Sequence, residues 1–399
     1  MAGVPPDPAI HLLSLLFVAE LQPGGREETI LSSSSNAMRD QVFATPVALK
    51  AGFEALERDL RLVLPTPLIY RTRRIILIGS GDSYFAAKAA EMALLAHAGL
   101  SVEVRTPLEA GRYHAAFSGR RDLENTLIIA LSNSGAAARV CEAAALYRQA
   151  GAQVLAITKN AVGRLVENAD HKLIIAVPGL PPAPGFGPLL FTMVALQLLA
   201  IRFGEVRMGM TMDQAQALRG KLLGHFDDLA ATIAAADEPA RALAERFAGA
   251  KLFEFLGGGP SRAVADYGAA KLLEATGRHA TGIDLEEWTH LNYFDAAPQD
   301  IATVMVLPPG GRSQSRASEL RVYIDKLGRQ VAVVGGDLPI VGTIDEIWSP
   351  LLASAPLALF AAHLAVLDRA DYGRGSKGPW SDSADASTVQ QSAMFGDLP

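Results

Sequence analysis

Two short runs carry side chains suited to holding an anion. Ser132-Asn133-Ser134-Gly135 supplies two hydroxyls, one amide and a flexible glycine. Placed after a strand and before a helix, it would meet unpaired N–H groups and the positive end of a helix dipole, which suits phosphate. The same residue types make good helix N-caps, so capping stands as the other reading. In Gly79-Ser80-Gly81-Asp82-Ser83, Ser83 offers a further hydroxyl. A nicotinamide site is not expected there, because Tyr84 occupies the position where G-x-G-x-x-G needs Gly or Ala. Glu103, roughly where a ribose-binding acid would stand, does not repair that pattern. Lys271 and Glu274, three residues apart, read by spacing alone as an ion pair on a helix surface. His290 is one of 8 histidines. Cys141 is the only cysteine, so no intramolecular disulfide or multi-cysteine zinc site can form, and its apolar neighbours make it a packing residue.

The elements that would position these residues follow a strand–helix rhythm. Met38 to Leu62 has a helical pattern interrupted by Pro46, which predicts a bent or two-part helix. Apolar strands are expected at 74–78, 102–104, 126–131 and 153–158, with helices at 84–98 and 136–150. This pattern predicts a parallel sheet covered on both faces. In such sheets the turns after the strands face the ligand crevice. The rhythm then recurs. A shift of 178 residues carries Gly79 to Gly257, Gly81 to Gly259, Ser83 to Ser261, Gly99 to Gly277 and Glu109 to Glu287. At a shift of 177, Gly151–Ala156 aligns with Gly328–Val333. Two α/β units are therefore expected. The division is a poorly structured leader at 1–36, a helical segment at 37–70, a first unit at 71–205, a helical connector at 206–245, a second unit at 246–370 and a tail at 371–399.

The composition is that of a globular protein. Of 399 residues, 50% are hydrophobic and 20% charged, enough apolar material for a large core, and the net charge of −6 lacks the basic footprint of a nucleic-acid binder. Ile10–Ala19 is too short to span a bilayer and has no basic stretch before it, so neither a membrane anchor nor a secretory signal is expected. A cytoplasmic location follows as the expectation. Gln22–Asn36 reads as a Gly/Ser linker, and Met38 is a second candidate start.

Together these motifs resemble the tandem SIS (sugar isomerase) proteins: the isomerase half of glutamine–fructose-6-phosphate transaminase, and stand-alone phosphosugar isomerases, deaminases and deglycases. The likeness covers roughly Met38 to residue 370. The family's Gly-x-Gly-Thr-Ser turn is Gly79–Ser83 here, and its Ser-Gln-Ser-Gly-Glu-Thr loop is Ser132–Ala137. Its Glu-Gly-Ala-Leu-Lys-Leu-Lys-Glu helix is Tyr267–Glu274, and its Glu-x-x-His-Gly run is Glu287–Leu291. The resemblance implies two flavodoxin-like three-layer αβα units with parallel sheets, joined by a helical connector. It implies Glu274 as the base that moves a proton between C1 and C2 of an open-chain sugar. His290 would assist ring opening from a partner subunit, so a homodimer with shared sites is implied. Lys271 would tune Glu274 or contact the sugar. Ser83, Ser132, Asn133 and Ser134, in turns shaped by Gly81 and Gly135, would hold the anionic end. No cofactor or metal is implied.

Four departures qualify the likeness. Ala136-Ala137 replaces Glu-Thr, Tyr267 replaces the first Glu of the helix, and Pro182–Leu189 replaces the segment that lines the sugar pocket. The tail from Gly373 offers only Lys377 where the transaminase has its carbonyl-handling lysine, which argues against Schiff-base chemistry. The nucleophilic cysteine of the glutaminase half is also missing, so no glutaminase activity is expected. The reading is a sugar-phosphate isomerase or aminosugar-phosphate deaminase. A non-catalytic sugar-phosphate-binding regulator, or a fructosamine-phosphate deglycase, is the alternative.

Overall fold

The computed structural model describes residues 36–176, 179–371 and 388–394, and the expected leader, most of the tail and Lys377 lie outside them. The chain enters through α1 (Ala37–Val63) and α2 (Thr66–Arg71). The first sheet is built from β1 (Arg74–Ile78), α3 (Asp82–Ala98), β2 (Ser101–Arg105), a π-helical turn at Glu109–Ala115, α4 (Arg120–Leu123), β3 (Thr126–Leu131), α5 (Ala138–Gln149), β4 (Gln153–Thr158), α6 (Arg164–Glu167) and β5 (His171–Ile174). Two long helices follow, α7 (Gly187–Val206) and α8 (Met212–Phe247). The second sheet comprises β6 (Leu252–Gly257), α9 (Pro260–Thr276), β7 (Ala280–Asp284), α10 (Trp288–Leu291), β8 (Ile301–Val306), α11 (Gln314–Lys326) and β9 (Gln330–Val334). Helices α12 (Pro350–Leu367) and α13 (Thr388–Gln391) complete the described chain.

Both sheets are wholly parallel. Their orders are β2-β1-β3-β4-β5 and β7-β6-β8-β9, so the second sheet repeats the order of the first without its fifth strand. The 2-1-3-4-5 order is that of doubly wound sheets whose ligands sit beyond the strands' carboxyl ends. The glycine matches have a physical cause. Gly81 caps α3 at φ 55°, ψ −130°, and Gly259 caps α9 at φ 55°, ψ −131°. This backbone conformation is essentially closed to residues with a Cβ.

Alternation along the strands divides the core. Ile75 and Leu77 face inward and Ile76 and Ile78 outward. The inner cluster is continuous from the first sheet through α1, α3, α7, α8, α9 and α12 to Phe253, Phe255 and Val304 of the second. Helix α8, expected as a connector, is thus part of a core that both sheets share. The outer faces carry smaller clusters, one around α5 and the π-helical turn and one around Trp288 and α11. Helix α1 is a single helix through Pro46, not two pieces. Helices α7 and α12 are long and apolar enough to cross a membrane, but 78% and 83% of their apolar windows are buried within the protein.

Candidate functional site

The loop after β3 is fastened to the turn after β4. Ser132 N donates to Ile157 O (3.1 Å) and Lys159 N to Asn133 O (3.1 Å). Asn160 Nδ2 donates to Ser134 O (2.7 Å). Gly135 takes φ 64°, and a Cβ there would meet Thr158 Oγ1 at 2.9 Å. Among the described residues none of these side chains caps the helix: α5 has Ala137 as its N-cap with no side-chain bond, and Ser134 Oγ accepts from Ala136 N (3.3 Å). The capping reading is therefore not what the loop does. Ser83, Ser132 and Asn133 instead line one small pocket with Thr158, Lys159, Pro188 and Thr192. Hydroxyls, an amide and one ammonium at the carboxyl end of a parallel sheet form a cradle suited to an anion. Lys159 and Thr192 were missed by sequence reasoning. A cation directly after a strand was the available signal for Lys159.

Helix α9 brings the second cluster to the first turn of α3. Lys271 is 1% exposed, and its Nζ lies 2.8 Å from Asp82 Oδ1 while also donating to Glu274 Oε2. The pair read as a surface contact thus has a buried member, and its second carboxylate comes from 189 residues away. Burial alone would lower the Lys271 pKa, but Asp82 and Glu274 outweigh it and raise it, so the side chain stays an ammonium. Burial raises the Asp82 carboxyl despite Lys271. Glu274 is half exposed, so one face of the cluster is open. Tyr267, fully buried, donates its hydroxyl to Gly185 O (3.3 Å), and burial raises its pKa well above the ordinary phenol value.

The Pro-Gly segment before α7 closes this corner. A Cβ at Gly185 would come within 2.7 Å of Asp82 Oδ2, so a larger residue there would press on the carboxylate. Gln41 of α1 pins the segment: its Oε1 accepts from Phe186 N (2.7 Å) and Gly187 N (3.1 Å), and its Nε2 donates to Pro181 O (2.6 Å). His290 has a different neighbourhood. It is exposed on α10, 3.8 Å from Glu286 Oε1. Cys141 is buried near Gly135 O, and burial pushes its thiol up to about 11, far from a reactive thiolate. Among the described residues no group of three His, Cys, Asp or Glu side chains could hold a metal ion.

With this geometry in view, the similarities to known proteins fall into place. Residues 68–202 match the SIS domain family model. That stretch is the first sheet with its helices and most of α7. Similarity to full proteins runs further. The glutamine–fructose-6-phosphate aminotransferase (isomerizing) of Thermococcus kodakarensis is 27% identical over 343 residues, covering 83% of this chain and 55% of that protein. Its Thermotoga maritima counterpart is 26% identical over 318 residues, covering 76% and 50%. The chain spans about half the length of these relatives. Among solved structures, the C-terminal domain of the Francisella tularensis glucosamine-fructose-6-phosphate aminotransferase superposes with a TM-score of 0.71 at 18% identity, covering 85% of this chain and 98% of that one. A Thermotoga maritima glucosamine-6-phosphate deaminase gives 0.67 at 17% identity, covering 84% and 96%. Both likenesses extend over the second sheet and establish a shared fold around the SIS domain.

Proposed function

We propose that the protein is a cytoplasmic sugar-phosphate isomerase, or aminosugar-phosphate deaminase, built from two SIS units and acting by aldose–ketose proton transfer. The observation that carries this reading is the Asp82–Lys271–Glu274 cluster, set one residue from Ser83 of the anion cradle. The cradle binds the phosphate. Glu274 takes the proton from the carbon beside the carbonyl of the open-chain sugar and returns it to the neighbouring carbon. Lys271 holds Glu274 in place by its ammonium. It does not act as an amine nucleophile, which would need a lowered pKa. The partner subunit's His290 moves the proton on the ring oxygen, so the working form is a homodimer. The names of the relatives, aminotransferase and deaminase among them, support the same class.

The test is Glu274→Gln assayed with glucosamine 6-phosphate and fructose 6-phosphate. The expected loss is at least about a hundredfold in kcat, the scale of one acid–base group. A loss below about tenfold on a sugar that the wild type converts removes Glu274 from the mechanism.

A further inference from the structure

Strand β6 buries a carboxylate where its sequence counterpart buries an aliphatic side chain. Glu254 is the third residue of β6 and is 5% exposed, while the 178-residue shift places it on Ile76, the fully buried third residue of β1. A sheet of this kind therefore accepts an aliphatic side chain there. An ion pair in such a place gives no clear gain in stability over well-packed apolar residues. Its use is found in its partners. Glu254 Oε2 accepts from Trp288 Nε1 (2.8 Å) and Oε1 from Asn292 Nδ2 (2.8 Å). Arg329 at the start of the β9 arm donates to Glu254 with one guanidinium nitrogen and to the carbonyl of Asn292 with another. Its guanidinium also stacks 5.0 Å over the Trp288 ring. Trp288 and Asn292 bracket α10, whose three remaining residues are Thr289, His290 and Leu291. A single helical turn cannot hold itself in water. Here both of its ends are tied to one buried carboxylate, while His290 between them stays exposed.

We propose that the buried Glu254–Arg329 pair is a positioning device for His290, fixing the α10 turn so that the imidazole is presented outward in one orientation. The proposal rests on the role given to His290 above, and it goes beyond that role by naming what sets the imidazole's position. Glu254 and Arg329 touch no substrate. They act through Trp288 and Asn292.

The experiment replaces the pair by apolar residues of similar bulk, Glu254→Ile with Arg329→Met, in the full chain. Global unfolding is expected to stay near that of the wild type, while hydrogen exchange in the peptide covering 288–294 accelerates at least tenfold and that of β6 does not change. With glucosamine 6-phosphate or fructose 6-phosphate, whichever is converted, kcat is expected to fall at least tenfold and to fall little further when His290→Ala is added. The limb of the pH–rate profile that His290→Ala removes should be lost as well. Should the double variant not fold, Asn292→Ala, which removes one side-chain donor to Glu254, must show the same local exchange and the same non-additivity in weaker form. Unchanged exchange at 288–294, or a loss that multiplies fully with that of His290→Ala, overturns the proposal. A silent His290→Ala variant overturns the catalytic reading of His290 itself, and the two failures are thus told apart.

Discussion

Lys271 Nζ of α9 lies 2.8 Å from Asp82 Oδ1 at the first turn of α3, so one ammonium joins the helix after β6 to the helix after β1. The two sheets repeat each other's order, yet at this point they are not equivalent. The first contributes the carboxylate and the second contributes the cation. The contact sits where both inner helical layers meet, and it converts two similar halves into one asymmetric site.

Asp82→Asn should therefore destabilise the protein although it preserves size. Removing one partner of a buried pair leaves an uncompensated charge, a loss of about 3–5 kcal/mol in fully buried cases. Glu274 remains beside Lys271, which reduces the expected cost to about 2 kcal/mol. Glu286→Gln, which breaks the exposed pair with Arg316, should leave stability nearly unchanged. Midpoints of urea unfolding measured side by side check both, and equal shifts would refute the difference in burial.

Lys159→Met should weaken anion binding without unfolding the loop, because the loop's backbone bonds use Lys159 N and not its side chain. A charge-assisted contact contributes about 1.5–3 kcal/mol, so roughly a tenfold or greater rise in Kd is expected. Titration calorimetry with inorganic phosphate at two salt concentrations is the measurement. An unchanged Kd, or binding insensitive to salt, would remove Lys159 from the cradle.

These two residues also mark how far the sequence can be read. The strands that became β1, β3 and β6 are apolar runs ending in Gly- or Ser-rich turns, β4 is an apolar run in the same rhythm, and their pattern is local. Strands β5 and β7 lie at sheet edges with half-exposed, polar-containing sequences, His171–Ile174 and Ala280–Asp284, which carry no clear period. Central β8, Ile301–Val306, is fully buried and was legible in principle, but the repeat was followed by its glycines, and none marks this strand. Glu274 and Lys271 look the same at i, i+3 whether the pair is buried or solvated. Burial of Lys271 depends on Asp82, 189 residues earlier, which no local pattern reports. The Glu254–Arg329 pair escaped notice for the same reason, since its members are 75 residues apart.

His114 should make stability fall on mild acidification. It lies on the π-helical turn with Arg74 Nη2 3.1 Å from Nε2 and Tyr147 Oη 2.8 Å from Nδ1. Arginine can only donate, so Nε2 must accept and the folded ring is neutral. Burial, with Arg105 and Arg74 against Glu103 and Glu109, lowers its pKa below the ordinary value of 6.5. The folded state thus binds fewer protons than the unfolded chain. The contribution is complete above about pH 6.5 and is lost as pH falls below that value. Thermal melts from pH 7.5 to 5.5 should show a decline that His114→Gln reduces. An equal decline in both proteins would place the sensitivity elsewhere.

The glycine correspondence between the halves predicts matched costs. Gly81 and Gly259 share φ 55° with ψ near −130°, and a Cβ at either would meet no atom within 4 Å. The penalty for Gly81→Ala and for Gly259→Ala is therefore backbone strain alone, about 1–3 kcal/mol each, and nearly equal. Gly220 is the opposite case. It lies exposed within α8, again with nothing within 4 Å of a Cβ, and its φ is not positive. Gly220→Ala should raise stability by about 0.5–1 kcal/mol through helix propensity and reduced chain entropy. Urea unfolding of the three variants is decisive on the point. If Gly81→Ala and Gly259→Ala differ by more than about 1 kcal/mol, the two turns are not held alike, and the structural equivalence of the halves at their first strand–helix junction is lost.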